Sequence, residues 1–149
     1  YLSMKYTSAM LEHYIVDKEY HEEALRVINS EIDIESIYES RAWDCALLAS
    51  SLGYMKSKSL DYEVDAYRSG PGVSVTAVVK HGGLMYRLLA SIVGRSLSVV
   101  LSKSSNKGDS EIMHHTERKL TGFEGDYDYV VFTAVKQVVN HLLLLTGKE

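Results

Sequence analysis

The sequence predicts an all-α domain, and three observations lead there. The composition is that of a compact globule: 46% of residues are hydrophobic, and only one of 149 is proline, where strand-turn-strand chains usually carry more. Between Arg41 and Lys58, the apolar residues Cys45, Leu48, Leu52 and Met55 recur every three or four positions, the period of an amphipathic helix. In 84–102 the polar or small residues Arg87, Ser91, Arg95, Ser98 and Ser102 keep the same interval, whereas a strand would alternate at two.

Taken in order, residues 4–19 predict a first helix with Met10, Leu11, Tyr14 and Ile15 on one side, and residues 21–29 a second with Ala24, Leu25 and Ile28 together. The acidic stretch SEIDIES (30–36) reads as a connection. A third helix spans 41–58, weakened locally by Gly53. SGPG (69–72) is the sharpest break in the chain, since proline and glycine punctuate regular structure. After it, VSVTAVVK (73–80) fits a strand by its β-branched content or the start of a helix. The 84–102 segment carries Leu84, Leu88, Leu89, Ile92, Val93, Leu97 and Leu101 nearly all round, which places it at the centre of a helical domain. SKSSNKGDS (102–110) reads as a loop, with Asp109 or Ser110 capping a helix that runs to about Leu120. TGFEGDYD (121–128) is a second loop. The last helix sets Val131, Ala134, Val135, Val138 and Leu142 against Lys136, Gln137 and Asn140 on its other side.

Several function classes are excluded or disfavoured. A net charge of −4 with no run of cations argues against nucleic acid, because phosphate neutralisation needs clustered Lys and Arg. The single Cys45 forms no internal disulfide, which fits a reducing, cytoplasmic setting, and its neighbours Ala46, Leu47 and Leu48 suggest a buried thiol. Arg87 and Arg95 interrupt the longest apolar stretch, and LLLL (142–145) is too short to span a membrane. His114 and His115 stand near Glu111 and Glu117, but adjacent histidines point to different faces, so no metal is expected. SGPG lacks the lysine-serine pair of a phosphate loop. No cofactor and no catalytic arrangement follow from the spacing, and the chain reads as a non-enzyme.

One motif shapes the functional expectation. GGLMYRLLA (82–90) keeps a glycine, then Arg87, Leu88, Leu89 and Ala90, and in this it resembles the first homology region of the Bcl-2 family of apoptosis regulators. MLEHYIVDKEY (10–20) is similar to the family's fourth homology region, EGDYDYV to its second and LASSLGYM to its third, in the family's order over about residues 4–140. Tyr86 stands where the family places glycine, Gly53 where it places aspartate. The resemblance implies a single Bcl-2-like helical bundle over 1–149, with a groove that takes the homology 3 helix of pro-death partners. In that reading Arg87 pairs with the ligand's aspartate, while Gly83, Met85, Tyr86, Leu88 and Leu89 form one wall. Leu48, Leu52 and Met55 form the other, and Tyr127 closes one end. The implied function is inhibition of apoptosis, as in the divergent viral members, acting in the cytoplasm or at the mitochondrial outer membrane, with homodimerisation as one way to regulate the groove. The rival expectation is an α+β interaction or self-assembling module whose 73–101 region forms strands.

Overall fold

The computed structural model describes residues 42–105, 107–120 and 127–147. Its chain order is helix α1 (Ala42–Leu52), short helix α2 (Tyr54–Ser57), strands β1 (Glu63–Ser69), β2 (Gly72–His81), β3 (Leu84–Val93), β4 (Ser96–Ser104) and β5 (Ser110–Lys119), then helix α3 (Tyr127–Thr146). The strands form one antiparallel sheet in the order β1-β2-β3-β4-β5, each paired with its chain neighbour. The architecture is α+β. It overturns the all-α fold class and the resemblance to the Bcl-2 helical bundle, and it leaves the apoptosis assignment that the resemblance carried without support.

The largest correction falls on 84–102. This segment is the β3–β4 hairpin, turning at Gly94 and Arg95. Tight turns explain it. Gly70, Gly82, Gly83 and Gly94 all hold positive φ, and they sit in three two-residue hairpin loops. Gly82 and Gly83 both do so at the β2–β3 turn, the signature of a type I′ connection whose twist matches the strands. Gly72 answers a different need: a Cβ there would collide with the Ile92 carbonyl where β2 begins beside β3. The expected helix before Leu120 is likewise a strand, β5, whose register shifts between Leu101 and Ser102.

Other expectations agree with the structure. The 73–80 segment is strand β2, the break at SGPG is the β1–β2 turn, and the 41–58 helix exists but divides at Gly53 into α1 and α2. The last helix is α3. The helices expected at 4–19 and 21–29, the connection at 30–36 and most of the 121–128 loop lie outside the described residues.

Helices α1 and α3 pack against each other and onto one face of the sheet. The inner face is aliphatic because alternate residues project to one side of a strand: Val73, Val75, Ala77 and Val79 on β2 pair across to Ile92, Ala90, Leu88 and Tyr86 on β3. From the helices, Leu48, Leu52, Val135, Val138 and Leu142 complete one continuous core. Polar groups inside are satisfied locally: Ser51 donates to the Leu47 carbonyl at 2.8 Å and Thr146 to the Leu142 carbonyl at 3.0 Å. The Tyr54 hydroxyl donates to Asn140 Oδ1 at 2.9 Å, tying α2 to α3, and Lys136 Nζ stands 4.6 Å from the Tyr54 ring centre.

Candidate functional site

Across the five strands, the residues that point away from the helices line up in rows fixed by the register. The middle row runs Asp65, Thr76, Leu89, Val100, His115. On one side of it lies Tyr67, Ser74, Ser91, Ser98, Glu117, and on the other Glu63, Val78, Arg87, Ser102, Ile112. Among the described residues no helix or strand packs on this outer face. Of the six exposed large hydrophobic side chains among the described residues, four belong to it: Tyr67, Met85, Val93 and Ile112. They stand around a half-buried centre of Val78, Leu89 and Val100. In place of an alternation of apolar inside and charged outside, the second face is itself a mixture of apolar and hydroxyl groups, with its charges mostly at the margins.

The centre is held by small polar contacts. Ser74 is buried, with its hydroxyl 2.7 Å from that of Ser91 across the β2–β3 pair. At the β5 margin His115 Nε2 lies 3.4 Å from Ser98 Oγ and 3.4 Å from Glu117 Oε1. Among the described residues, Arg87 makes no ion pair and no side-chain hydrogen bond, so its guanidinium stands exposed near the centre of this face. Lys80 lies diagonally across from it on β2 and borders two open clefts, one with Asp61 and Glu63 and the other with Met85 and Ser104.

The structure separates the residues that the groove reading brought together. Arg87, Met85 and Leu89 lie on the outer face, while Tyr86 and Leu88 turn inward and are buried. Leu48 and Leu52 on α1 and Met55 on α2 belong to the core beneath the inner face, so the sheet stands between them and Arg87. Gly83 is a turn residue. Tyr127 begins α3, and its side chain lies outside the described residues. A two-walled groove around Arg87 is absent among the described residues.

The histidine pair also resolves by alternation. His114 points inward, where its ring stacks on His141 of α3 with centroids 5.0 Å apart, and His115 points outward. Among the described residues no three His, Cys, Asp or Glu side chains converge as a metal set. Cys45 is fully buried in α1, and burial, aided by the neighbouring Asp44 charge, pushes its thiol up to about 12. Such a thiol is inert as a nucleophile near neutral pH. Tyr129–Thr146 of α3 is long and apolar enough to cross a membrane by composition, at a mean hydropathy of 1.3, yet half of it is buried inside the molecule. A core helix passes the same test.

No family model, curated protein or solved structure matches the chain. The outer face is therefore the candidate site on its own chemistry. Sequence reasoning singled out Arg87, Met85 and Leu89 but missed their companions Tyr67, Val78, Val100 and Ile112. The signal that could have found them is the glycine punctuation: Gly70, Gly82 and Gly94 recur every twelve residues, which leaves ten-residue strands with two-residue turns.

Proposed function

We propose that this chain is an α+β protein-interaction module that docks a macromolecular partner on the outer face of its sheet. One observation carries the reading: every exposed large apolar side chain of the sheet sits on the side away from the helices, grouped around Val78, Leu89 and Val100. Contiguous exposed apolar surface with a polar margin is characteristic of a binding surface. Arginine and aromatic side chains are enriched in such surfaces, and Arg87 and Tyr67 supply both. The hydroxyl-rich ground between them adapts to a partner without leaving a buried charge unpaired.

The test is site-specific photocrosslinking in cells that produce the full chain. A benzophenone side chain at Val100 is expected to yield covalent protein adducts, whereas the same group at Thr133, exposed on α3, yields none. Equal adducts from both positions, or none from Val100, would sink the reading.

A further inference from the structure

We infer that the partner is a second copy of this chain, which packs its own outer face against the first across a two-fold axis. The inference rests on the interaction-module reading and names the occupant of that same face.

Size is the first argument. Five strands about 4.8 Å apart, of seven to ten residues at about 3.3 Å each, present a face of about 700 Å². That is close to the roughly 800 Å² which each partner contributes to an interface of standard size. Charge distribution is the second. The formally charged residues of the face, Glu63, Asp65, Lys80, Glu117 and Lys119, lie on the edge strands or at the strand ends, and Arg87 alone is near the middle. A charge-depleted centre with a charged rim is the anatomy of a protein interface.

Register supplies the third argument and fixes the axis. Aligned sheets stack about 10 Å apart and within about 30° of parallel. An axis running along β3 would stack Arg87 on the Arg87 of the second copy at the centre of the interface. An axis running across the strands, over the middle row, avoids this. It sets Leu89 on Leu89 and Val100 on Val100, brings Arg87 to the Ser91 hydroxyl, and pairs Met85 with Val93. Like groups that meet under this axis, Asp65 and His115, fall on the edge strands, where solvent screens them.

The experiment uses the full chain and thiol chemistry, for which the buried Cys45 is a silent background. Leu89→Cys, with Val100→Cys as a second variant should the first fold poorly, is treated with a short bismaleimide, and sedimentation is followed over a dilution series. The expected result is a crosslinked dimer from either variant but not from Met85→Cys, two rows off the axis, with the crosslink lost and sedimentation turning monomeric on dilution. Crosslinking of Met85→Cys as well would overturn the proposed axis. A monomer whose Leu89→Cys thiol is labelled at every concentration would overturn the second copy while leaving the face open for another partner. A monomer whose thiol resists labelling at every concentration would mean that the chain covers the face itself, and both readings would fall.

Discussion

Leu88 and Leu89 are adjacent and chemically identical, yet the strand sends them to opposite fates. Leu88 is fully buried beneath α1 and α3, while Leu89 is half-buried on a face that no described element covers. The comparison extends to the whole sheet. Its inner face is aliphatic and close-packed, so its residues are chosen for volume. Its outer face mixes valine, leucine and methionine with serines and one exposed arginine, a composition that a purely solvated face does not need. The difference teaches that burial among the described residues explains one side of this sheet and does not by itself explain the composition of the other.

The sharpest way to break the comparison is to truncate both leucines. Leu88→Ala leaves a cavity in the core and is expected to cost about 2–5 kcal/mol in urea unfolding; a loss similar to that of Leu89→Ala would contradict the two-faced description. Gly72→Ala drives a methyl group into the Ile92 carbonyl and is expected to cost about 1–3 kcal/mol through backbone displacement. Gly70→Ala is the contrasting case, with open space around its Cβ position but a positive φ, so backbone strain and not collision sets its cost.

Cys45 tests the inner side through pH. Its thiol stays protonated in the fold up to about 12, against an ordinary value of 9.0. Between those limits only the unfolded chain releases the proton, so stability falls as pH rises, by about 1.4 kcal/mol per unit. Cys45→Ala is expected to lack that part of the alkaline slope; identical slopes in the two proteins would show that water reaches the thiol. Tyr54→Phe removes the hydrogen bond to Asn140 and is expected to lower stability by about 1 kcal/mol. The smallest effect belongs to Leu89→Ala, expected below about 1 kcal/mol when measured on dilute monomer, since little apolar area is released there.

The ends of the described region were legible in the sequence, and its middle was not. The stripes of Cys45, Leu48, Leu52 and Met55 and of Val131, Val135, Val138 and Leu142 announced α1, α2 and α3, because one side of each faces the core and the pattern is clean. In 84–102 the pattern misled for a definite reason. Residues four apart share a side in a helix and in a strand alike, so Arg87 with Ser91 and Ser98 with Ser102 fit either structure. Only the step of three from Arg95 to Ser98 breaks strand parity, and it falls where the Gly94–Arg95 turn resets the count. The outer face hid the alternation as well, since Met85, Leu89 and Val93 are apolar on the side that usually turns polar. The candidate site was partly visible through Arg87, but its neighbours come from four other strands, and only register brings them together.

Because each strand pairs with the one before it through a short turn, the sheet can assemble strand by strand as the chain is made. Most of its pairing is local, and local contacts form quickly. The cover is only partly in place by then. Helix α1 precedes the sheet, but α3 follows β5, so on a translating ribosome the part of the aliphatic side that α3 covers waits for the last helix to emerge. For that interval the nascent protein shows apolar surface beyond what the finished fold exposes, the condition under which a folding chain is most prone to aggregate.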